Sequence, residues 1–246
     1  HLQIEATKLA FADAYAYVAD LDAMRDVTPA DLLLDGYLAD RAKLISEDRA
    51  QVFSQGRPGR GGTVYLTTAD ESGMMVSYIQ SNYMGFGSGV VVPGTGISLQ
   101  NRGTSFTLEV GHPNQVAGRK RPFQTIIPGF LMGADGAPIM TVGVMGGPMQ
   151  PQGHLQMVLR TQLWGQDPQT AVDAPRWHVM SGLDVAVEAP MGEKAISALR
   201  AKGHNVVVEE PDPVNFGFGG AQLIARKGDA YIAGSDPRKD GCAIGL

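Results

Sequence analysis

Cysteine is almost absent. One residue, Cys242, stands in 246, so neither an intrachain disulfide nor a cysteine metal site can form. The five histidines (His1, His112, His154, His178 and His204) show no metal-ligand spacing such as HExxH, so no metal is expected. Basic charge is also in short supply. Lys and Arg number 20 against 25 Asp and Glu, for a net charge of −5, which argues against a nucleic-acid partner. No apolar run is long enough to span a bilayer, so no membrane span is read. There is no signal-peptide pattern, yet the chain starts at His1, without a Met and within a helical pattern. It is therefore expected to be the later part of a longer protein. No internal repeat is visible.

What is present is a globular composition, 43% hydrophobic and 18% charged, with 32 glycines, enough for many tight turns. Residues 2–18 read as an Ala-rich helix. Thr28-Pro29-Ala30-Asp31 reads as a helix start, with Thr28 as N-cap, and a short helix is expected over 37–45. Arg49 to Gly62 has no apolar period and reads as a flexible connector. At Thr63 the character changes. Residues 64–70 and 75–81 form a hairpin. Residues 82–89 are a glycine-punctuated loop, and 90–92 and 97–99 are short strands. A loop over 102–122 ends in Arg119-Lys120-Arg121, read as a solvated loop. Strands are expected over 125–132, 138–144, 183–188, 205–209, 221–226 and 230–233. Helices are expected over 150–164, after Pro168, and over 193–202 with Gly203 as C-cap. The absence of a regular βαβ alternation points to stacked antiparallel sheets with helices outside.

The stretch Arg60-Gly61-Gly62-Thr63-Val64 carries the chemistry. A threonine hydroxyl is a poor nucleophile without a base. Cutting the chain before Thr63 would free its own α-amine, whose reference pKa of about 8 suits proton transfer near neutrality. Gly146-Gly147, between a strand and a helix start, is the natural oxyanion hole, because consecutive backbone N–H groups there can point at one spot. By itself the pattern also fits an ordinary loop-to-strand junction, the commoner case.

Five separated motifs then appear in order: His1-Leu2-Gln3-Ile4-Glu5-Ala6-Thr7-Lys8-Leu9-Ala10-Phe11-Ala12-Asp13, Gly85-Phe86-Gly87-Ser88-Gly89, Gly146-Gly147, Asp173-Ala174-Pro175-Arg176-Trp177 and Ser235-Asp236-Pro237-Arg238. On these the chain resembles the γ-glutamyltranspeptidase family, closer to its cephalosporin-acylase-like branch, over essentially its whole length. The resemblance implies an α+β fold, the four-layer αββα sandwich of N-terminal-nucleophile hydrolases. It implies that residues 1–62 are the tail of a large subunit plus connector, and 63–246 the small catalytic subunit. The partners it implies are the missing large-subunit sequence, a small-molecule amide as acyl donor, and water or an amine as acceptor. No cofactor is needed. Thr63 matches the family's nucleophile, Ser81 its second hydroxyl, and Gly146 and Gly147 its oxyanion-hole glycines.

The substrate-binding positions depart from the family. Where γ-glutamyl enzymes carry an Asn-Gln-x-x-Asp pattern, this chain has Asn101-Arg102-Gly103-Thr104-Ser105. Ser105 offers a neutral hydrogen bond where a carboxylate would pair an ammonium group. Gln124-Thr125 replaces the family's serine pair, and Tyr83 stands where an asparagine often contacts the donor. Arg102 suits a carboxyl-bearing acyl group such as glutaryl. Two further readings stay open: an acylase for non-glutamyl amides, and an inert family member that is never cleaved. Of the remaining residues, His154 and His178 read as helix-face or loop residues. Met145, Met149 and Met157 read as core filler, Trp177 as packing, and Asp236 with Arg238 as an ion pair in the last turn. Cys242 receives no role.

Overall fold

The computed structural model describes residues 1–53, 62–210 and 216–245. In chain order it contains α1 (Leu2–Tyr17), α2 (Pro29–Leu32), α3 (Asp35–Ala42), β1 (Gly62–Ala69), β2 (Met75–Tyr83), β3 (Gly129–Met132), β4 (Pro138–Met145), α4 (Met149–Val158), α5 (Pro168–Asp173), β5 (Trp177–Ser181), β6 (Asp184–Glu188), α6 (Glu193–Ala201), β7 (Asn205–Glu209), β8 (Gly220–Lys227) and β9 (Ala230–Ser235). Two compact units interleave along the sequence. One holds His1–Pro58, Asn101–Gln124 and Val179–Glu209, and the other Gly59–Gln100, Thr125–His178 and Glu210–Leu246.

The second unit is built on period-2 alternation. β1 and β2 pair antiparallel around the Asp70–Gly73 turn. Asp70 holds that turn by accepting from the Ser72 and Met74 N–H groups. On β1, Thr63, Tyr65 and Thr67 face inward while Val64, Leu66 and Thr68 are exposed. The inward face meets an antiparallel sheet of order β3-β4-β8-β9. β4 sorts its side chains by size. Thr141 and Gly143 face β1, with Thr67 Oγ1 donating to Thr141 Oγ1 at 2.6 Å and the Tyr65 ring lying over Gly143. Met140, Val142 and Val144 face the other way, into a core with Met157, Ala171, Val172, Ala221 and Leu223. Full burial of each such aliphatic side chain contributes about 1.5–3 kcal/mol before chain entropy is counted. α4 lies along β4, and α5 along β9. The unit is thus sheet on sheet on helix, with an outer apolar row of Val64, Leu66, Val76 and Tyr78 exposed.

In the first unit, α1 buries Ile4 and Leu9. α2 starts with a capping box, in which Thr28 Oγ1 accepts from Asp31 N and Asp31 accepts from Thr28 N. β6 and β7 pair in parallel with α6 between them. α6 ends as expected, with Gly203 at φ +92° and the His204 N–H returning to Leu199 O.

The parallel pair corrects the expectation of purely antiparallel sheets: β6-α6-β7 is a βαβ crossover. Other differences are local. β3 starts at Gly129 rather than residue 125, because Pro128 has no N–H for a ladder. The helix expected over 150–164 is α-helical to Val158 and closes with a π-turn over Leu159–Leu163. Residues 90–92 and 97–99 make one bridge, Val91 with Ser98, and no strand. α3 begins at Asp35 and ends at Ala42. Trp177–Ser181 is a strand that the Pro175 breaker concealed. Residues 54–61, most of the expected connector and the first part of the Arg60–Val64 stretch, lie outside the described residues.

Candidate active site

Thr63 is the first inward-facing residue of β1, directly after Gly62. Its Oγ1 donates to Ser81 Oγ at 2.9 Å, and Ser81 Oγ also accepts the Tyr83 N–H at 2.9 Å. The strand register explains why these groups meet. Gly62 pairs with Tyr83 and Val64 with Gln80, so two residues of β2, Ser81 and Asn82, oppose Thr63 alone. This is a β-bulge, which bends the strand and re-aims a side chain. Tyr83 closes it in the left-handed region at φ +76°, a conformation that costs a non-glycine residue about 1–2 kcal/mol. Thr63, Ser81 and Tyr83 are therefore brought together.

The layer packing relates Thr63 to the glycine pair. Thr67 sits over Thr141 and Tyr65 over Gly143. Carried one two-residue step further, this register points Thr63 toward the Met145 end of β4, after which Gly146 and Gly147 follow. These two have φ +124° and +58°, and only glycine takes two successive positive values without strain. Their carbonyls accept from the first turn of α4, Gly146 O from Met149 N at 3.2 Å and Gly147 O from Gln150 N at 2.9 Å. A trans peptide sets the Gly147 N–H antiparallel to the Gly146 carbonyl, so that donor points away from the helix, at its positive end.

The remaining sequence-selected residues are divided between the units. Thr125 belongs with Thr63 and is half-buried. Asn101, Arg102, Ser105 and Gln124 belong to the first unit. There Arg102–Ser105 forms one turn of 3-10 helix, with Arg102 buried and Asn101 half-buried. Asn114 ties Ser105 O (2.6 Å) to the Phe123 N–H (2.9 Å), which sets the turn beside the exposed Gln124.

Among the described residues, His1, Glu5 and His204 are the group whose ligand atoms could hold a metal, all lying within 4.8 Å of one another. The group already has its own cation. Lys8 Nζ donates to Glu5 Oε1 at 2.8 Å and lies 3.4 Å from His204 Nδ1. His204 Nε2 meets His1 Nδ1 at 2.8 Å, and His1 Nε2 meets Ser46 O at 2.8 Å. One proton arrangement satisfies this whole chain with both imidazoles neutral. Burial first, and Lys8 second, pull the His204 pKa down to about 4.

Sequence reasoning missed three features. Tyr65 and Gly143 form a ring-on-glycine contact that sets the distance between the layers. His154, set aside as a helix-face residue, accepts the Val144 N–H at 3.0 Å. Arg176 joins the expected Asp236–Arg238 pair, which measures 3.0 Å, through an ion pair that is wholly buried on both sides. Asp236 also accepts the Ala221 N–H at 2.7 Å. Val-x9-His and Arg-x59-Asp separations carry no periodic signal, so only the fold could reveal them. Met145, Met149 and Met157 are buried core residues as expected, and Trp177 is packed. His178 Nδ1 lies 3.0 Å from Gly217 O, and its ring stacks on Phe218. The basic cluster lies on a loop with Arg119 and Arg121 exposed, as expected. Lys120 donates to Pro113 O and Gln115 O, and Arg121 pairs with Asp20.

An α+β chain whose inward threonine opens a strand, beside a second hydroxyl and a glycine pair at a helix start, has the fold of an N-terminal-nucleophile hydrolase, the four-layer αββα class. The chain belongs to the gamma-glutamyltranspeptidase family, whose model matches residues 1–246. It is similar to the glutathione hydrolase-like YwrD proenzyme of Bacillus subtilis (strain 168), 36% identical over 257 residues, covering 100% of this chain and 47% of that protein. It is 37% identical over 251 residues to the oxamate amidohydrolase proenzyme of Klebsiella pneumoniae, again covering 100% and 47%. Among solved structures, the cephalosporin acylase from Bacillus halodurans aligns with a TM-score of 0.89 and 47% identity, covering 98% of this chain and 43% of that one. The chain spans about half the length of the curated relatives it matches. Among the described residues no helix is long and apolar enough to cross a membrane.

Proposed function

We propose that this chain is the nucleophile-bearing part of an amide hydrolase or acyltransferase that matures by cutting itself between Gly62 and Thr63. Residues 1–62 then end a large subunit, and 63–246 form the small one. The observation that carries the reading is the Thr63 Oγ1 to Ser81 Oγ hydrogen bond, made across a bulge at the start of β1. Two relatives are named as proenzymes, one of a glutathione hydrolase-like protein and one of an oxamate amidohydrolase, which supports it.

In the uncut chain the Thr63 nitrogen is an amide and cannot take a proton. Attack of Thr63 Oγ1 on the Gly62 carbonyl carbon moves the acyl group from nitrogen to oxygen. Hydrolysis of that ester leaves a Gly62 carboxylate and a Thr63 α-amine. In the mature protein the α-amine takes the hydroxyl proton as Oγ1 attacks the substrate amide, then gives it to the leaving amine. The N–H groups of Gly146 and Gly147 hold the oxyanion, a contribution of about 3–4 kcal/mol per donor in comparable sites. Water or an amine resolves the acyl-enzyme. No step calls for a cofactor.

For the acyl donor, the best-supported class is an amide whose acyl half carries a carboxylate, because Arg102 falls within the sequence pattern where the family's donor-binding residues lie. The loss of a carboxylate at Ser105 favours this over a γ-glutamyl group, whose ammonium needs a negative partner. The relatives named oxamate amidohydrolase and cephalosporin acylase are at least as similar as the glutathione hydrolase-like one.

The test uses the full-length protein. Intact mass should show two chains, the smaller starting at Thr63, and Thr63→Ala should remain one chain. A panel of γ-glutamyl, glutaryl and oxamate amides then separates the donor classes. A parent protein that stays uncut and inert would sink the enzyme reading. Good γ-glutamyl turnover without glutaryl or oxamate turnover would sink the carboxylate reading alone.

A further inference from the structure

β4 loses one of its two neighbours, β3, just before the glycine pair, while β8 stays paired through Met145. β3 pairs with it from Met132–Pro138 to Gly129–Val142 and goes no further. Continuing the antiparallel register, Val144 would oppose Ile127, but Pro128 intervenes and the chain turns away. That departure orphans two backbone donors, Ile127 N–H on one side and Val144 N–H on the other. An unpaired buried N–H costs about 1–3 kcal/mol.

Both donors are met by one helix face. Gln150 Oε1 accepts Ile127 N–H at 3.1 Å, and His154 Nε2 accepts Val144 N–H at 3.0 Å. Residues 150 and 154 are one turn apart on α4, so they project side by side. The helix is pressed close enough to reach. A Cβ on Gly153 would come within 2.5 Å of Val144 Cγ1, and a Cβ on Gly129 within 3.3 Å of the His154 ring. Glycine at 153 lets the helix seat this closely, and a side chain at 129 would press on Val142 and on the His154 ring.

We infer that Gln150 and His154 are positioning residues that replace the missing strand and hold the Val144–Gly147 end of β4, so that the Gly146 and Gly147 N–H groups keep their aim. This rests on the reading of those glycines as the oxyanion hole. A continued β3 would have satisfied Val144 equally well; here the helix-borne acceptors do so. His154 must be neutral, with its proton on Nδ1, to accept at Nε2. Its apolar surroundings favour that state, lowering its pKa to about 4.

The experiment compares H154F, which keeps a ring but offers no acceptor, with H154Q, whose amide oxygen reaches the Nε2 position. In the matured full-length protein, H154F is expected to lower kcat on the order of 10- to 100-fold with KM within about two-fold. H154Q is expected to restore most of the turnover. Amide hydrogen exchange on the same proteins, read at Val144, Gly146 and Gly147, should be faster in H154F and near the parent in H154Q. Equal turnover and exchange in H154F and parent would overturn the inference, as would equal damage from Phe and Gln. If the parent hydrolyses no amide at all, the functional reading fails. The exchange comparison still decides whether His154 holds this end of the strand.

Discussion

Gly143→Ala is the most exposed prediction of this architecture, because it adds one methyl group where the two layers are closest. A Cβ at 143 would lie well under 3.0 Å from three carbons of the Tyr65 ring. The ring has nowhere to go: Tyr65 is 5% exposed and its hydroxyl is fixed to Ser77 Oγ at 2.6 Å. Carbon atoms prefer about 3.5–4.0 Å, so β1 must lift from β4 by about 1 Å. Overpacking of this kind costs about 1–3 kcal/mol. The lift also carries Thr63 away from the end of β4, and a misplacement of about 1 Å can lower turnover about 100-fold. Urea unfolding reads the first effect, and self-cleavage followed by intact mass reads the second. Tyr65→Leu should make room for the methyl, so the double variant should be more stable than the sum of the two single changes predicts. A Gly143→Ala protein within about 0.5 kcal/mol of the parent that cleaves normally would refute the packing register derived from Tyr65 and Thr67.

Other expectations follow from single contacts. Asp236→Ala leaves the fully buried Arg176 without its carboxylate and Ala221 N–H without its acceptor, so thermal or urea unfolding should show a loss of about 3–5 kcal/mol; a loss under about 1 kcal/mol would show that the pair is not buried in solution. Ser81→Ala should slow maturation of the full-length chain, measured as the half-time of appearance of the smaller piece, while Ser81→Thr keeps it; equal rates for both would remove Ser81 from the reaction. Acid stability should follow His154. Burial lowers its folded pKa from the ordinary 6.5 to about 4, so the unfolded chain binds the extra proton between these values. Its contribution, on the order of 3 kcal/mol, is complete above about pH 6.5, falls as pH drops toward about 4, and levels off below. H154Q should flatten that part of the stability–pH curve, and an unchanged slope would contradict the buried neutral imidazole.

The hairpin around Asp70–Gly73, the Thr28 cap and the Gly203 helix stop were all legible in the sequence. Each depends on residues within a few positions of one another, where turn chemistry and periodicity act directly. Thr63 and the Gly146-Gly147 pair were legible as candidates for the same reason, since a glycine run meeting a strand and a glycine pair meeting a helix are local patterns. The parallel pairing of β6 and β7 was not. Period-2 alternation identifies strands but says nothing of their direction, and a nine-residue α6 between them is compatible with either.

What the sequence determined by itself was therefore a set of parts: which segments bury one face, where they turn, and which hydroxyl and which glycines have chemistry to offer. Only the tertiary structure decided how they meet. The bulge opposite Thr63 exists because β2 carries one residue more than β1 between two paired positions. The burial of Arg176 against Asp236, and the reach of His154 to Val144, are set by how layers stack. The physical reason is the same in each case. Contacts between residues far apart in the chain depend on register and packing distance, and no local propensity encodes either one.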